Sequence, residues 1–267
     1  MLTFVIPVRH PANAKNWPQL KRLLEQTAVA ISQQDNHAWR AVVVANTGAD
    51  LPALPERFEV KRVDFAPNPK HELGQNEAER EAVYDAFRYD KGRRVLAGML
   101  HMRDSDYFMI VDDDDFVSRK LAGFVADRHG ASGWYIKNGY VWTDGGHGLY
   151  LHPSFHTYCG TSHIVRSDLM ELPQSLEQAA TPYIKQMLGS HLFLKGYLHE
   201  NGNPLSPLPF VGAVYRIGHP GAHSKSASLW RTFVFQRSLT QRPWVILRNV
   251  LRMRVVTARL RRDFFGG

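Results

Sequence analysis

The segment that decides the fold is YFMIVDDDDFV, residues 107–117, in which five apolar residues lead directly into four aspartates. An apolar run of this length predicts a buried β-strand, and the strand should end at Asp112 because aspartate is a poor strand former. The side chains of Asp112 and Asp114 would then leave the strand end on the same side, about 6–7 Å apart. At an effective dielectric constant of about 20, two such charges repel by roughly 2.5 kcal/mol. The cluster therefore requires a bound cation, shared protons or open water.

Apolar and periodic segments on either side of this strand predict an α/β fold with a mainly parallel sheet flanked by helices. Arg9, Asn46 and the aspartates each follow a predicted strand, and ligands of such sheets bind at the carboxyl ends of the strands. We therefore expect these side chains to meet at one edge of the sheet. The segments are residues 3–8, 41–45, 58–63 and 214–217 for strands, and 20–32 and 77–102 for helices, the latter interrupted near 90–92.

The second half of the chain has a different pattern. The stretch WYIKNGYVWT, residues 134–143, predicts a β-hairpin with Asn138 and Gly139 in a type I′ turn. A helix is expected over residues 182–196. The domain organisation we predict is a first domain over residues 1–226, in two halves that meet after residue 117, and a basic extension over residues 227–267.

The extension carries most of the excess positive charge. Apolar residues recur at helical spacing from Trp244 to Arg262, with arginines beside them, and predict one amphipathic helix. Such a helix is typical of proteins that bind an anionic membrane surface. The alternative is that the apolar stripe packs on the protein's own core.

Composition limits the function classes. The chain has 267 residues, of which 44% are hydrophobic and 22% charged, as in an ordinary globular protein, and its net charge is +8. A basic protein favours a polyanionic partner. Cys159 is the only cysteine, which excludes an intramolecular disulfide and a thiolate zinc site. The single cysteine fits a reducing compartment, so we expect a cytoplasmic location. No stretch approaches 18 apolar residues, so we expect no membrane span.

Three segments, in this order and spacing, resemble the GT-A glycosyltransferases, especially those of family 2. They are FVIPVRH at residues 4–10, VVVANTG at 42–48 and DYFMIVDDDDF at 106–116, which carries the DXD-type motif. A fourth, YRIGHPGAHS at 215–224, is similar to the segment that often gives the metal a histidine. The resemblance covers residues 3–225 and implies a nucleotide-diphospho-sugar domain in which the first half binds the nucleotide and the second half builds the acceptor site.

The resemblance also implies roles for individual residues. The family's acidic base has no counterpart here, because the matching region reads MLGSHLFL, residues 187–194. The metal would be Mn²⁺ or Mg²⁺, which take oxygen ligands. The implied residues are Pro7, Arg9, Asn46, Arg94, Asp112 and Asp113 for the nucleotide; Asp114, Asp115, His219 and His223 for the metal; and His191, or else Asp144, for the base.

The function that these features predict is metal-dependent transfer of a sugar from a UDP- or GDP-sugar to a glycan or lipid-linked acceptor, as in bacterial-type surface polysaccharide assembly. The enzyme would be inverting, would bind no nucleic acid and could lie at the inner face of the cell membrane. One alternative is another metal-dependent nucleotide enzyme, although PVRHPANAKN, residues 7–16, lacks the glycines of a nucleotidyltransferase loop. Another is a non-catalytic basic protein that binds nucleic acid or membrane.

Overall fold

Two β-sheets organise the chain in the computed structural model, which describes residues 1–70, 76–219, 229–233 and 243–266. The strands of these residues are β1 (Leu2–Pro7), β2 (Trp39–Asn46), β3 (Phe58–Val63), β4 (Tyr107–Ile110), β5 (Phe116–Val117), β6 (Gly133–Tyr135), β7 (Gly139–Thr143), β8 (Gly148–His152), β9 (His163–Arg166), β10 (Ser206–Pro207), β11 (Ala213–Ile217) and β12 (Met253–Val255).

Helices flank the sheets in the same described ranges. They are α1 (Trp17–Ser32), α2 (Glu77–His101), α3 (Leu121–Ala126), α4 (Thr181–Tyr183), α5 (Leu194–Glu200), α6 (Leu229–Phe233), α7 (Pro243–Leu251) and α8 (Ala258–Leu260), with π-helical turns at Ile184–Leu188 and Arg261–Phe265. Among the described residues, no helix has both the length and the apolar character needed to cross a membrane.

The larger sheet has the order β10-β6-β9-β4-β1-β2-β3, and β4, β1, β2 and β3 run parallel within it. The smaller sheet has the order β12-β8-β7-β11-β5. Alternate side chains of β1 enter different cores: Phe4 packs with α1, and Val5 packs with α2. Helices therefore cover both faces of the larger sheet, and the predicted α/β class is confirmed.

Helix α1 begins where its sequence provides an N-cap. The Asn16 side chain accepts a hydrogen bond from the backbone N–H of Gln19 at 3.0 Å, and Pro18 occupies the first turn. The apolar face predicted for residues 20–32 is buried against the sheet, so its helical periodicity is confirmed.

The expected interruption of α2 near residue 92 is wrong, because the helix continues without a break to His101. Gly92 serves close packing instead: a Cβ atom there would lie 2.1 Å from the carbonyl oxygen of Ile184. Asp90 is also compatible with the helix, since its carboxylate pairs with the guanidinium groups of Arg93 and Arg94 one turn later.

The hairpin predicted for residues 134–143 is also wrong. Strand β6 pairs with β9 and β10 in the larger sheet, whereas β7 pairs with β8 and β11 in the smaller one. A type I′ turn requires positive φ at both central residues, and neither Asn138 nor Gly139 has it. Gly139 lacks a side chain because a Cβ atom would lie 2.2 Å from the ring of Phe155.

Two expected helices are divided. The helix predicted over residues 182–196 becomes α4, a π-helical turn and α5, and it breaks at Gly189, where a Cβ atom would lie 1.9 Å from the carbonyl oxygen of Arg88. The helix predicted from Trp244 to Arg262 becomes α7, β12 and α8. Strand β12 pairs with β8, and Phe264 is buried against the protein.

Replacing Gly92 by alanine should destabilise the fold. The new Cβ would overlap the backbone of the π-helical turn, and we expect the free energy of unfolding to fall by about 1–3 kcal/mol. Gly196→Ala in α5 is the matched control, since no atom lies within 4 Å of a Cβ at that position. The control should raise stability by about 0.5–1 kcal/mol. Urea unfolding followed by circular dichroism measures both, and equal changes in the two variants would contradict the packing role.

Candidate functional site

Arg9 meets Asp113 and Asp114 in one depression at the carboxyl edge of the larger sheet, whereas the predicted third partner, Asn46, is buried and bonded to Arg94. Arg9 follows β1, Asn46 ends β2, and the aspartates follow β4, which runs parallel to β1. The backbone N–H of Val111 still donates to the carbonyl of Val5 at 2.9 Å, so the chain leaves the sheet only at the first aspartate. The acidic segment is therefore fixed by its strand, and its four side chains diverge into different surroundings.

The Asp112 carboxylate forms an ion pair with the ammonium group of Lys91 on α2. Its backbone N–H donates to the Thr161 hydroxyl at 2.9 Å. Burial alone would lower the pKa of Lys91, but the charge of Asp112 and its hydrogen bond outweigh that effect and raise the pKa. Gly160 makes room for the pair, because a Cβ atom there would lie 2.7 Å from the Lys91 nitrogen and 2.9 Å from an Asp112 oxygen.

A cleft adjoins this ion pair, between α2, β4, β9 and the segment that follows the π-helical turn. We call it the histidine cleft. Its apolar floor includes Phe108 and Leu188, and its polar lining consists of Lys91, Ser190, His163 and His191.

Three histidines, His156, His163 and His191, lie in and beside the histidine cleft. Each has one buried ring nitrogen without a hydrogen-bond partner. Burial lowers the pKa of His163 to about 3. Burial, followed by the positive charge of Lys91, lowers the pKa of His191. Both rings are therefore neutral at pH 7, and the partnerless nitrogen of His191 is Nε2.

A second cleft lies on the other side of the acidic segment, beside the start of α1. We call it the arginine cleft, and it is lined by Arg9, Lys15, Asp113, Asp114 and His219, among others. Basic and acidic side chains thus share one small depression at the carboxyl end of β1. This charge pattern could accommodate a ligand that carries both anionic groups and a cation.

The two aspartates of the arginine cleft differ in their protonation. Burial raises the pKa of Asp113 to about 7, although Arg9 opposes the shift, and one carboxylate oxygen of Asp113 is buried without a partner. Burial would also raise the pKa of Asp114, but the hydrogen bond and charge of His219 lower it. His219 Nε2 and Asp114 Oδ2 lie 2.8 Å apart.

Asp115 is fully buried and faces neither cleft. Its carboxylate accepts hydrogen bonds from the Thr161 hydroxyl at 2.6 Å, the Cys159 thiol at 3.2 Å and the backbone N–H of Arg216 at 3.2 Å. Burial raises the pKa of Asp115 well above its ordinary value. Asp115 is therefore a structural carboxylate rather than the expected metal ligand.

Two predicted nucleotide contacts lie below the sheet edge. The Arg94 guanidinium is 1% exposed, donates to Asn46 Oδ1 at 2.8 Å and pairs with Asp90 at 3.0 Å. The Asn46 amide donates in turn to the carbonyl of Phe65 at 2.7 Å. Arg94 thus positions Asn46 and does not reach a ligand directly, which corrects its expected role. Pro7 is buried as the last residue of β1.

Asp144, the alternative base, lies after the end of β7. It is half-buried, and its backbone N–H donates to the carbonyl of Ile217 at 3.0 Å. Desolvation lowers the pKa of the buried Arg216, and the negative charge of Asp144 partly offsets that lowering. Asp144 lines neither cleft. His223 lies outside the residues that the structure describes.

Sequence reasoning did not identify two residues of the candidate site, Thr161 and Lys15. Thr161 donates to Asp115 and accepts from the backbone of Asp112, and Lys15 lines the arginine cleft. No local pattern identifies Thr161, because its partners are more than 40 positions away. Lys15 could have been found, since it follows β1 in the same loop as Arg9.

A divalent cation fits the donor set of the arginine cleft. In the described ranges no three histidine, cysteine or acidic side chains are arranged to hold a metal by themselves. Mg²⁺ and Mn²⁺, however, are commonly bound by one or two protein ligands plus substrate phosphates and water. Asp114 and His219 form such a pair, and the partnerless oxygen of Asp113 lines the same cleft.

Comparisons with known proteins add a distant structural likeness. No family profile and no curated protein sequence matches the chain. The chain is similar to the crystal structure of residues 1–349 of TarS from S. aureus, with 13% identity and a TM-score of 0.42. The matched region covers 80% of this chain and 60% of the TarS chain. A second TarS crystal structure has 12% identity and a TM-score of 0.40, covering 81% and 37%. The chain thus spans less than two thirds of the length of either TarS structure.

The buried His163 should make the fold sensitive to acid. The pKa of His163 is about 3 in the folded protein and about 6.5 in the unfolded chain. The unfolded chain therefore takes up a proton here as the pH falls below 6.5, while the folded chain stays neutral, so stability decreases. Between pH 7 and pH 5 this group should account for a loss of about 2 kcal/mol.

Urea unfolding of His163→Gln at pH 7, 6 and 5 measures that contribution. Between pH 7 and pH 5, the free energy of unfolding of the variant should fall by about 2 kcal/mol less than that of the wild type. His129→Gln, at an exposed position, should retain the wild-type slope. The same slope in all three proteins would show that His163 does not resist protonation.

Proposed function

We propose that the chain is a glycosyltransferase that uses a nucleotide-diphospho-sugar donor. The observation that carries this proposal is the division of the acidic segment at the carboxyl edge of parallel strands. Asp112 pairs with Lys91 beside the histidine cleft, and Asp113 and Asp114 lie with Arg9 and His219 in the arginine cleft. A phosphate-bearing donor and a hydroxyl-bearing acceptor need two such neighbouring sites of different chemistry.

The arginine cleft suits the donor's diphosphate. Arg9 and Lys15 supply positive charge, and the charge of Arg9 acts on both aspartates of the cleft, opposing the rise in pKa that burial causes. Asp114 and His219 would hold a divalent cation, which would neutralise the charge that grows on the diphosphate as the glycosidic bond breaks. The nucleoside would lie along the sheet edge towards Asn46, and Arg94 would keep that amide in place.

The histidine cleft suits the acceptor hydroxyl. His191 has the properties of a general base: a neutral ring, a partnerless Nε2 and a place in the cleft beside Lys91. In the step we propose, Nε2 takes the proton of the acceptor hydroxyl as its oxygen attacks the anomeric carbon. The bond from that carbon to the diphosphate oxygen breaks, and the nucleoside diphosphate leaves with the electron pair.

The acceptor class belongs to the same proposal. A glycan or a lipid-linked glycan of a cell-surface polysaccharide would present the required hydroxyl. The apolar floor of the histidine cleft, which includes Phe108 and Leu188, offers a face on which a sugar ring could pack.

Nucleotide binding tests the arginine cleft directly. We expect one of UDP, GDP, CDP and TDP to bind in calorimetry, with affinity increased by Mn²⁺, because the diphosphate completes the cation's ligand shell. Asp114→Ala should remove the Mn²⁺-dependent part, at least about tenfold in Kd. Asp127→Ala, at an exposed position after α3, is the matched control and should bind like wild type. Absence of nucleotide binding in every condition would contradict the donor site.

Kinetics of His191→Gln test the base. With the nucleotide-sugar identified by binding, we expect kcat to fall by about 10²–10⁴-fold and the donor's Kd to stay unchanged. The base must be neutral, and burial lowers its pKa, so wild-type kcat/KM should fall only at a pH below the ordinary range of histidine titration. That acid limb should disappear in the variant, while His129→Gln retains it. An unchanged kcat would exclude His191 as the base.

A further inference from the structure

Helix α7 exposes its apolar side chains and buries a polar one, which is the opposite of the usual arrangement on a protein surface. Trp244 is 80% exposed, Leu247 51% and Leu251 68%, whereas Asn249 is buried. At 3.6 residues per turn, these three apolar side chains lie about 160–220° around the helix axis from Asn249. The helix therefore turns an amide towards the protein and a tryptophan and two leucines towards the surroundings. We call these exposed residues, with Val255 at 69% exposure, the α7 face.

The orientation of α7 is fixed by specific contacts. Asn249 accepts a hydrogen bond from the hydroxyl of Tyr150 at 3.0 Å and donates to the carbonyl of Phe233 at 2.7 Å. The chain then enters β12, which pairs with β8 of the smaller sheet. The hydrogen bonds of Asn249 and the pairing of β12 with β8 fix the rotation of the helix about its axis. The α7 face is therefore directed away from the protein.

The segment that carries the α7 face is strongly basic. Residues 243–266 contain six arginines and a single acidic residue, Asp263. Asp263 is directed inward, where it accepts a hydrogen bond from the Ser118 hydroxyl at 2.7 Å and lies near Lys120. Arg248, Arg259 and other arginines of this segment are exposed. The segment thus presents exposed apolar side chains together with exposed arginines.

We propose that the α7 face docks on an anionic lipid membrane, with the apolar side chains in the acyl boundary and the arginines at the phosphate headgroups. An interfacial segment of this kind combines a buried apolar face with basic residues at its margin. A second copy of the chain is disfavoured, because a two-fold contact would bring two sets of arginines together. A nucleic acid would match the charge but would leave the tryptophan and leucines in water. The inference does not depend on the proposed transferase activity.

Vesicle co-sedimentation tests the docking. The wild-type protein should bind vesicles made of equal parts phosphatidylcholine and phosphatidylglycerol, and bind pure phosphatidylcholine at least about tenfold more weakly. The double variant Leu247→Ser with Leu251→Ser should lose at least about tenfold in partitioning. Arg248→Glu with Arg259→Glu should lose binding to the anionic vesicles to a similar degree.

Matched controls distinguish the α7 face from exposed apolar and basic side chains elsewhere on the protein. Tyr84→Ser removes an exposed apolar side chain of α2, and Lys61→Glu reverses a charge on β3; both should bind like wild type. Trp244→Phe should still bind, but the blue shift of tryptophan emission on vesicle addition should be much smaller than in wild type. This variant reports on the face even if the serine double variant does not fold.

Three results would overturn the proposal. The first is failure of the folded wild-type protein to bind anionic vesicles at low salt. The second is a dimer in sedimentation analysis that the leucine variants dissociate, with no vesicle binding. The third is equal vesicle binding by wild type and the leucine variants, which would show that charge alone, as in binding to any polyanion, accounts for the attraction.

Discussion

The buried carboxylate of Asp115 is the interaction on which the rest of the site depends. It joins the end of β4 to the segment of Cys159 and Thr161 and to β11 of the smaller sheet through three hydrogen bonds. The hydroxyl of Thr27 on α1 donates to its backbone carbonyl at 2.9 Å. A carboxyl group buried this deeply is tolerated only where such donors surround it, and removal of one donor would destabilise the site. Both sheets and the first helix are therefore held at one point directly behind the acidic segment.

The other three aspartates of the segment point in different directions from Asp115. Asp112 turns towards α2 and Lys91, and Asp113 and Asp114 turn towards the start of α1 and the end of β11. Mutual repulsion among the four aspartates is thus relieved in three ways. Asp112 has an ion pair, Asp114 has a histidine partner, and Asp113 and Asp115 have a raised pKa. Protonation was among the possibilities that the sequence suggested, but the Lys91 and His219 partners were not, because these residues are distant in the chain.

The parts of the fold that sequence predicts well are those that local physics determines. Strands β1, β2 and β4 are continuous apolar runs, and the buried face of α1 follows its periodicity. Two of the errors share one cause. Gly92 and Gly139 were assigned to a helix interruption and a turn, yet each is glycine because another segment packs against it. The site was predictable as an edge and an acidic motif, but the buried roles of Asp115 and Arg94 depend on contacts across the chain.

The Lys91–Asp112 ion pair has a further consequence for how ligands would act on one another. Each group is the other's partner in a setting where both side chains are largely shielded from water. A ligand anion that attracts the Lys91 ammonium would release Asp112, and a ligand hydroxyl that binds Asp112 would release Lys91. Occupancy on one side of the pair therefore changes the free energy of binding on the other. Thermodynamic reciprocity requires that change to be the same in both directions.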